Sequence, residues 1–471
     1  MDKFLHIIKR YIPIKLFKTL QPAYHFLLSA LATAWYGWPS NKLIVIGITG
    51  TTGKTTSLYL IAKTLVNAGY KVGYTSTAMF SDGRTKWLND KKMTMPGRFF
   101  TQKMIARMVK NKCHYAIIET TSQGIEQFRH CFINYDILIF TGLYPEHIEA
   151  HNGFENYKQA KGKLFAYLKQ CKTKYTDDKK NIVKVESGFK KINANRVKKI
   201  IIANGNDTHA DFFLSFRSEE KWEYINKNKI ETNKATSKIE SIKYNEVARD
   251  KNGVEFIVEN KVKINLNLLG NYNIANAMAA VCLGLSQNIT LEKIKCGLEK
   301  VKTIPGRMEL IKNKKPAFTV IVDYAFEPKA MASLYEIVEI LPRQKIIHVL
   351  GSAGGGRDVA RRSELGKIAG VKADLVIITN EDPYNEDPQI IINQVSLGAE
   401  SVGKILNKNL FKILDRREAI KKALFLALEN DIVLITGKGC EQAICGPAGK
   451  NIPWDDRKIV IEELKQINES K

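Results

Sequence analysis

A loop rich in glycine and threonine, GTTGKTT at Gly50–Thr56, limits this chain to few folds. It follows Lys42–Ile48 (KLIVIGI), a β-branched run that predicts a buried strand, and it leads into Thr55–Ala68, which predicts a helix. A strand, a glycine turn and a helix are the context in which backbone N–H groups close around phosphate oxygens. This order predicts an α/β domain that binds a nucleoside triphosphate.

The loop is a short form of the general phosphate-binding pattern. That pattern places a glycine five positions before Gly53, whereas this chain has Ile48 there, which leaves G-x-x-G-K-T-T. Lys54 can neutralise charge on the β- and γ-phosphates, and the hydroxyl of Thr55 can reach Mg²⁺. The residues predicted to bind the triphosphate are Gly50, Thr51, Thr52, Gly53, Lys54, Thr55 and Thr56.

The chain is long enough for two or three domains, because 471 residues exceed the size at which a single core stops growing. Further buried-strand runs, most of them followed by helical patterns, predict doubly wound α/β architecture. They are Tyr115–Ile118, Ile137–Phe140, Phe318–Val322, Lys345–Leu350, Leu375–Ile378 and Ile432–Thr436.

Two segments divide this pattern. Residues 205–268 are polar and partly alternating, which predicts an antiparallel β insertion, and the Pro-Gly of Thr303–Arg307 (TIPGR) marks the main domain boundary. We therefore expect a short apolar and basic helical segment over 1–40 and a phosphate-loop domain with a parallel sheet over 41–304. A Rossmann-like α/β domain should follow over 305–471.

The composition excludes several classes of protein. The formal net charge is +25, but the surplus is mostly lysine, much of it in Lys172–Lys199 and Lys221–Lys263 where aromatic residues are sparse. This distribution favours a solvated lysine-rich surface over a nucleic-acid groove. The seven cysteines include no Cys-x-x-Cys pair, so neither a disulfide framework nor a zinc site is expected, and a reducing cytosol suits them.

The N-terminal segment allows two interpretations. Met1–Lys18 is basic, and Pro22–Trp38 is apolar and aromatic but shorter than the roughly 20 apolar residues that span a bilayer. A helix packed on the next domain is favoured. The alternative is an interfacial helix that makes weak contact with the anionic inner leaflet through residues 1–40. Under that alternative, a cytoplasmic protein would lie peripherally at the inner membrane face.

Polar side chains after the buried strands are candidate metal ligands. Glu119 follows the run Tyr115–Ile118, and ligands of α/β proteins gather at the carboxyl ends of strands. His147 and His151 are four residues apart, which places them on one face of a helix. Taken singly, each of these residues is more typical of a structural or exposed position than of a catalytic one.

The order of nine segments gives these residues a context, and with them the sequence resembles the Mur ligases. These enzymes use ATP to join an amino acid to the carboxylate of a peptidoglycan precursor. The resemblance spans Ile46 to Leu464 and is strongest to the MurE branch, which adds the third residue of the stem peptide. The matching segments are GITGTTGKTT, IIETTSQGIEQFR, TGLYPEHIEAHNGFENYKQAKGKLF, LLGNYNIANAMAA, IPGRME, VDYAFEP, GSAGGGRD, TNEDPYNEDP and TGKGCEQ…IPWDDR.

The resemblance implies ATP and two Mg²⁺ as cofactors. Thr55, Glu119 and His147 would ligate magnesium, and Lys161 (QAKGKLF) matches the lysine that is carbamylated in the family and so becomes an anion near the second metal. Asn273 and Asn276 would meet the adenine, Asp323 the ribose, and Arg307 the phosphates. Lys54, Lys161 and Arg307 would then be the catalytic residues.

The resemblance also implies an acceptor site and an amino-acid site. Thr94 and Pro96 stand in a T-M-P that resembles the family's substrate loop, T-T-P, so a muramoyl-dipeptide acceptor is expected. The incoming amino acid would meet Asp382, Pro383, Gly437 and Glu441. Members that add meso-diaminopimelate have D-N-P-R, whose arginine grips the extra carboxylate. This chain has E-D-P-Y, ending at Tyr384, and it resembles the acidic D-D-P of lysine-adding members, so a basic amino acid such as L-lysine is favoured.

Two departures from the family pattern affect these expectations. About 40 residues precede the loop here, fewer than the N-terminal UDP-binding domain needs, so the acceptor's UDP end would be held differently or the acceptor would be lipid-linked. Phe326 and Cys440 stand where the family has histidines, but neither is a phosphate or metal candidate.

We therefore expect a monomeric, ATP-dependent amide-bond ligase that works through an acyl phosphate, with the two domains closing about Thr303–Arg307. Two alternatives remain. One is a related ligase of the folylpolyglutamate or cyanophycin synthetase type. The other is a non-catalytic ATP-binding or membrane-associated scaffold protein. The EDPYNEDP segment favours the MurE branch, and the intact set of Lys54, Glu119, His147 and Lys161 argues against the scaffold.

Overall fold

The computed structural model describes residues 14–146, 151–183, 194–229, 239–313, 316–356 and 359–469. The strands of the first half are β1 (Ile44–Thr49), β2 (Val72–Thr75), β3 (Met79–Ser81), β4 (Lys86–Leu88), β5 (Tyr115–Glu119), β6 (Ile137–Phe140), β7 (Lys174–Thr176), β8 (Ile182–Val183), β9 (Asn195–Val197), β10 (Ile200–Asn204), β11 (Glu220–Asn226), β12 (Glu240–Asp250), β13 (Gly253–Val258) and β14 (Val262–Leu266). The helices are α1 (Ile14–Trp35), α2 (Lys54–Asn67), α3 (Arg98–Lys110), α4 (Ser122–Glu126), α5 (Phe154–Tyr167), α6 (Ala210–Leu214), α7 (Tyr272–Ser286) and α8 (Leu291–Glu299).

Eleven of these strands form one sheet in the order β14-β13-β12-β11-β10-β6-β1-β5-β2-β3-β4. Strand β1 lies at its centre, parallel to β5 and β6, and all six of its residues are buried. Central parallel strands are covered on both faces, which explains the uninterrupted apolar run of β1. Helices α2 and α7 contribute to the core on one face, and α3 and α5 contribute to the core on the other.

The region predicted as an antiparallel insertion, residues 205–268, extends the edge of this same sheet. Strand β11 pairs with β10 and β12 in parallel, and within residues 205–268 only the β12–β13 and β13–β14 pairs are antiparallel. The antiparallel part is thus confined to residues 240–266 and is not a separate layer. Strands near a sheet edge are half exposed, so their alternating polarity does not distinguish an insertion from an extension.

The second half builds a smaller sheet. Its strands are β15 (Glu309–Lys312), β16 (Thr319–Val322), β17 (Ile346–Leu350), β18 (Leu375–Thr379), β19 (Leu410–Ile413) and β20 (Ile432–Ile435), followed by the hairpin of β21 (Ala443–Cys445) and β22 (Asn451–Pro453). Its helices are α9 (Pro328–Val338), α10 (Ala360–Lys372), α11 (Pro388–Glu400), α12 (Arg416–Leu426) and α13 (Asp456–Glu469). The order is β15-β16-β20-β17-β18-β19, and every pair is parallel except β15–β16.

Helices cover both faces of this second sheet. Helices α9, α10 and α11 contribute to the core on one face, and α12 and α13 to the core on the other. The first sheet ends at Leu266 and the second begins at Glu309, so the chain passes from one to the other through α7, α8 and the TIPGR segment. The predicted fold class, a phosphate-loop α/β domain followed by a Rossmann-like α/β domain, is confirmed.

Helix α1 packs along the first domain through its small and hydroxyl residues. Ser29 donates to the carbonyl of Phe128 at 2.8 Å, and Thr33 accepts from Gln102 on α3 at 2.8 Å. The other face carries apolar side chains that are 40 to 75% exposed, namely Tyr24, Leu27, Leu31 and Trp35. Among the described residues, no helix has the length and hydropathy required to traverse a bilayer.

Candidate active site

The phosphate loop joins the end of β1 to the first turn of α2. Gly53 has φ +79°, and a Cβ there would lie 2.3 Å from Oδ1 of Asn276, so only glycine fits. Asn276 sits on α7 and also accepts a hydrogen bond from Ser57 Oγ at 3.3 Å. Helix α7 therefore packs directly against the loop. The N–H groups at the start of α2 suit an anion there, because the first turn of a helix leaves them without partners.

Lys54 and the remaining loop residues complete this cradle. Lys54 Nζ donates to the carbonyls of Gly50 at 3.0 Å and Thr51 at 2.6 Å, which keeps the ammonium over the loop. The loop is braced from the end of β6: Thr141 donates to the carbonyl of Thr52 at 2.7 Å. Thr56, further along the first turn of α2, is buried. These contacts fit a triphosphate, since the loop presents a cation and free N–H donors on one side.

Glu119 connects the phosphate loop to the predicted acceptor loop. The carboxylate is almost fully buried at the end of β5, and Thr55 Oγ1 donates to it at 2.9 Å. Thr77 donates to it twice, through its backbone N–H at 2.9 Å and its hydroxyl at 2.8 Å. The hydroxyls of Thr77 and Thr94 lie 2.8 Å apart. The Glu119 carboxylate thus binds one other magnesium candidate, Thr55, directly. Through Thr77 it is also linked to the acceptor candidate Thr94.

Pro96, the other acceptor candidate, lies where this loop runs into α3. Its carbonyl accepts from Thr101 Oγ1 at 3.2 Å. Arg129 donates to the neighbouring carbonyl of Met95, and this arginine comes from the ETTSQGIEQFR segment. The acceptor loop is therefore held by residues that follow the strand bearing Glu119.

Lys161 is buried on α5 and points at the phosphate loop. Its Nζ donates to the carbonyl of Gly50 at 2.9 Å and lies 4.6 Å from the centre of the Tyr157 ring. Burial and the nearby charge of Lys54 lower the pKa of Lys161 well below its usual value, although Glu146 and Glu119 act in the opposite direction. A neutral amine is the form that can add CO₂ and become a carbamate anion.

His147 lies outside the described residues, so the structure does not place this metal candidate. His151 is described, and its Nε2 lies 3.0 Å from Ser122 Oγ at the start of α4. Among the described residues, no three His, Cys, Asp or Glu side chains converge on one point. Mg²⁺ is commonly held by one or two carboxylates together with water and substrate phosphates, and Glu119 is a buried carboxylate beside the phosphate loop.

The adenine candidates on α7 form a short chain of amide contacts. Asn276 Nδ2 donates to Asn273 Oδ1 at 3.0 Å, and Asn273 Nδ2 donates to the carbonyl of Leu269 at 2.7 Å. Both side chains are buried. Because Asn276 also touches the phosphate loop, a nucleotide base held here would lie close to its own phosphates.

Arg307 and Asp323 lie at the connection between the domains. The guanidinium of Arg307 lies 4.5 Å from the centre of the Tyr324 ring. Asp323 accepts from the backbone N–H groups of Met308 and Ala325, both at 2.7 Å. Burial raises the pKa of Asp323, while Arg307 and the two N–H groups lower it. Both carboxylate oxygens already hold the connecting segment, so Asp323 positions this segment whether or not it also meets a ribose.

Two of the amino-acid candidates, Asp382 and Glu441, meet in a cluster of ion pairs, which we call the amino-acid pocket. Lys438, fully buried, donates to Asp382 Oδ1 at 2.8 Å and to Glu441 Oε2 at 2.7 Å. Tyr324 donates to the other oxygen of Glu441 at 3.1 Å. Burial alone would raise the pKa of Asp382, but Lys438 and Lys92 lower it, so this carboxylate is ionised. Lys92 reaches this pocket from the first domain, and Nζ lies 3.0 Å from Asp382 Oδ2.

Two further polar atoms mark the same end of the second sheet. Ser352 Oγ and Glu381 Oε2, which follow β17 and β18, are buried with no hydrogen-bond partner in the described part of the chain. A Cβ at Gly437 would lie 2.3 Å from Glu381 Oε2, so this glycine lets the loop approach the carboxyl group. Pro383 follows in the same loop, and its carbonyl would clash with a Cβ at Gly354. Unsatisfied polar atoms at strand ends are suited to a ligand.

Four residues of this pocket were not among the predicted site residues: Lys92, Ser352, Glu381 and Lys438. Lys438 and Glu381 stand inside the TGKGCEQ and TNEDPYNEDP segments, so the motifs carried a signal for them. Lys92 lies in no quoted segment, and only the packing of the two domains brings it here.

We compared the chain with models of known protein families and with known proteins. A model of the Mur ligase middle domain matches residues 48–284, and a model of the Mur ligase glutamate ligase domain matches residues 306–439. The chain belongs to the Mur ligase family. As a member of it, the chain is an ATP-dependent ligase that forms an amide bond between an acid and an amino acid.

Relatives of this Mur ligase cover nearly its whole length. The UDP-N-acetylmuramyl-tripeptide synthetase of Roseiflexus sp. (strain RS-1) is 34% identical over 447 residues, which are 93% of this chain and 82% of the relative. The UDP-N-acetylmuramoyl-L-alanyl-D-glutamate–2,6-diaminopimelate ligase of Clostridium perfringens (strain 13 / Type A) is 33% identical over 447 residues, which are 93% and 82% of the two chains.

Solved structures agree with the fold. A UDP-N-acetylmuramoyl-L-alanyl-D-glutamate–2,6-diaminopimelate ligase superimposes with a TM-score of 0.54 at 23% identity, covering 95% of this chain and 83% of that one. The folylpolyglutamate synthase of Mycobacterium tuberculosis, complexed with ADP, superimposes with a TM-score of 0.60 at 15% identity, covering 92% and 95%. At these identities the likeness establishes the shared fold alone.

Proposed function

We propose that this Mur ligase adds a diamino acid, L-lysine in preference to meso-diaminopimelate, to an acceptor of the UDP-MurNAc-L-Ala-D-Glu type in peptidoglycan synthesis. The observation that carries the proposal is the Glu119 carboxylate, which joins the phosphate loop at Thr55 to the acceptor loop at Thr94 through Thr77. The acid to be activated would then lie next to the triphosphate that activates it.

The first half of the reaction turns a poor acyl donor into a good one. The acceptor carboxylate attacks the γ-phosphorus of ATP, the bond to the β-phosphate oxygen breaks, and an acyl phosphate and ADP result. Negative charge develops on the transferred group, and Lys54 and Arg307 would stabilise it. Two Mg²⁺, held by Thr55, Glu119, His147 and Lys161, would supply further charge neutralisation when bound.

Lys161 would contribute to the metal site as a carbamate. Its neutral amine adds CO₂ and releases a proton, which converts an uncharged buried group next to Lys54 into an anion. The environment supports this change, because the ammonium form of Lys161 is disfavoured by burial and by Lys54. Without the modification, the neutral amine of Lys161 would supply no negative charge to hold a second magnesium ion.

The second half forms the amide. The amino group attacks the acyl carbonyl, and the tetrahedral intermediate expels phosphate. The amine would come from the pocket of Asp382 and Glu441 in the second domain, while the acyl phosphate lies on the first. The two domains already touch beside the phosphate loop, where Lys329 Nζ lies 4.2 Å from the centre of the Tyr144 ring. Positioning of the two reactants is therefore a large part of the catalysis.

The choice of amino acid rests on the charges in the pocket. Asp382 can pair with a side-chain ammonium, while Tyr384 offers no bidentate contact for the second carboxylate of diaminopimelate. The Clostridium relative is named for diaminopimelate and the Roseiflexus relative for no particular amino acid, so the relatives' names support neither choice for this chain.

Residues 1–40 and helix α1 would add a weak contact with the inner face of a membrane, and the protein would otherwise be a cytoplasmic monomer. Support comes from the exposed face of Tyr24, Leu27, Leu31 and Trp35 and from the basic residues of Met1–Lys18. An acceptor with a lipid in place of UDP would be reached from the same position. Flotation with anionic vesicles tests the contact, and no association at low salt would refute it.

Phosphate release tests the main proposal. The protein is incubated with Mg-ATP, UDP-MurNAc-L-Ala-D-Glu and one amino acid at a time. We expect release with L-lysine and a product of matching mass. Release with meso-diaminopimelate alone would contradict the amino-acid assignment. No release with any amino acid, for the UDP-linked and the lipid-linked acceptor alike, would contradict the ligase and favour a silent ATP-binding protein.

A further inference from the structure

A lysine from the first domain fills the amino-acid pocket of the second. Lys92 lies between β4 and α3, and its ammonium contacts the carboxylates of both Asp382 and Glu441. The side chain of Lys92 is only 9% exposed. Its neighbour in sequence, Lys91, instead points outward and pairs with Asp90 at 2.6 Å, with 42% of its side chain exposed. Of these two adjacent lysines, only Lys92 therefore contacts the carboxylates of the pocket.

The two carboxylates of the pocket, Asp382 and Glu441, need a second cation besides Lys438 to neutralise their charge. Asp382 and Glu441 bring two negative charges, and Lys438 neutralises one of them from a fully buried position within the same domain. One negative charge remains, and Lys92 neutralises it. A buried carboxylate without a partner is costly, so some cationic group has to occupy this place in every state of the protein.

Lys92 is the cation that can leave. It has φ +53°, a strained backbone conformation for a lysine that the two ion pairs offset. It also lies two residues before Thr94, in the segment that leads into the acceptor loop. Lys438, in contrast, lies in the loop between β20 and β21, close to both of its partners. Withdrawal of Lys92 therefore needs movement of one exposed loop, whereas Lys438 is fully buried within the second domain.

We propose that Lys92 is a resident ammonium that fills the cation subsite of the amino-acid pocket until the side-chain ammonium of the incoming diamino acid displaces it. The proposal rests on the ligase function argued above and names a selectivity device for it. An amino acid without a second ammonium cannot displace Lys92 without leaving one of the two carboxylate charges unneutralised. A neutral amino acid is therefore excluded by charge as well as by fit.

Binding measurements on intact variants test this inference. L-lysine and L-norleucine, which has the same length but lacks the ammonium, are titrated by calorimetry into the wild type, Lys92→Met and Lys91→Met in the presence of Mg-ADP. We expect Lys92→Met to bind L-lysine on the order of tenfold more tightly, because the competing ammonium is gone. Binding of L-norleucine should not improve, and Lys91→Met should match the wild type.

Three outcomes would overturn the inference. Weaker or unchanged binding of L-lysine by Lys92→Met would show that Lys92 is a fixed link between the domains or a partner of the substrate carboxylate. Equal tightening for L-norleucine would show that charge replacement is not the cause. If neither the wild type nor any variant binds L-lysine, the proposed cation subsite does not exist. Lys92→Arg keeps the charge and should bind as the wild type does, which separates the loss of charge from damage to the fold.

These measurements are independent of turnover. If the wild type releases no phosphate with any acceptor, the proposed ligation fails. The displacement of Lys92 by L-lysine would still be visible by calorimetry in that case. If ligation proceeds but Lys92→Met shows no gain in L-lysine affinity, the displacement alone fails.

Discussion

Lys161 Nζ donates a hydrogen bond to the carbonyl oxygen of Gly50 at 2.9 Å, which places a buried amine of depressed pKa against the phosphate loop. We expect Lys161→Ala to lose ligation activity by about 10- to 100-fold, the range seen when groups that support a metal site are removed. Lys163, two positions along the same helix, is exposed and pairs with Glu126 at 2.8 Å. Lys163→Ala is the matched control and should retain full turnover.

Removal of CO₂ gives the same assignment a second test. Dialysis under CO₂-free conditions should lower the activity of the wild type, and bicarbonate should restore it. Undiminished turnover by Lys161→Ala would contradict a role in the metal site. Insensitivity of the wild type to bicarbonate would contradict the carbamate.

Substitution of Glu119 should weaken magnesium binding, because this carboxylate connects the phosphate loop to the acceptor loop. Glu119→Gln keeps the shape of the side chain and removes its charge, so Thr55 and Thr77 can still be held while the magnesium affinity falls. We expect the Mg²⁺ concentration for half-maximal ADP production to rise about 10- to 100-fold. Glu126, which is partly exposed on α4, provides the control Glu126→Gln. A magnesium dependence equal to that of the wild type would exclude Glu119 as a ligand.

The phosphate loop could be predicted from the sequence because its parts are contiguous. Gly53, Lys54 and Thr55 are neighbours in the chain, and the strand and the helix that flank them have strong patterns. The amino-acid pocket is different. Lys92 and Asp382 are separated by 290 positions, and their contact depends on how two domains are placed. No local pattern encodes that placement, so Lys92 could not be singled out from the sequence.

The edge of the first sheet shows a similar limit. Strands β12 to β14 alternate in polarity because one of their faces is partly exposed, and an independent antiparallel insertion would alternate in the same way. These strands join the large sheet through β11, which pairs with β12 on one side and with β10 on the other. Pairing between strands is a tertiary property, so the sequence predicted the antiparallel hairpins but not the sheet they join.

Tyr384 is predicted to control the choice between L-lysine and meso-diaminopimelate. Tyr384→Arg restores the arginine of the D-N-P-R motif, and a bidentate arginine–carboxylate contact is a strong, charge-assisted pair. We expect the kcat/KM for meso-diaminopimelate to rise roughly tenfold or more relative to that for L-lysine. Tyr384→Phe removes only the hydroxyl and should leave the ratio unchanged. A ratio that stays constant in Tyr384→Arg would place the specificity elsewhere.

Asp136 holds a buried ion cluster that should dominate the stability of the first domain. The carboxylate is fully buried and pairs with Lys174 and with Lys199 at 2.8 Å, and it accepts from the N–H of Val45 at 2.9 Å. Asp136→Asn leaves two buried ammonium groups without a counter-charge, so we expect a loss of about 3–5 kcal/mol. The measurement is the urea midpoint of the first unfolding transition.

Asp90 provides the comparison for Asp136. It pairs with Lys91 at the surface, where both side chains are substantially exposed. Exposed pairs contribute little, so Asp90→Asn should change stability by less than about 1 kcal/mol. Equal effects of the two substitutions would show that the buried cluster is not a major source of stability.

His348 makes the second domain sensitive to acid. It is fully buried between the hydroxyls of Tyr335, at 2.7 Å from Nδ1, and Thr436, at 2.9 Å from Nε2. Burial, reinforced by the charge of Arg416, lowers the pKa of His348 to about 3. In an unfolded chain the imidazole has a pKa near 6.5. Between these two values the unfolded state binds a proton that the folded state does not, so stability falls as the pH falls.

We expect the free energy of unfolding to depend on pH more steeply in the wild type than in His348→Gln. Below pH ~6.5 this single group should reduce the free energy of unfolding by up to about 1.4 kcal/mol per pH unit, until the pH approaches the folded-state pKa. His348→Gln removes the titrating group, so its stability should decline less steeply over the same range even if it is less stable at pH 7. Denaturant titrations at several pH values between 4 and 7 measure both slopes. Parallel curves would mean that His348 is protonated in the folded protein, which its full burial and the nearby charge of Arg416 argue against.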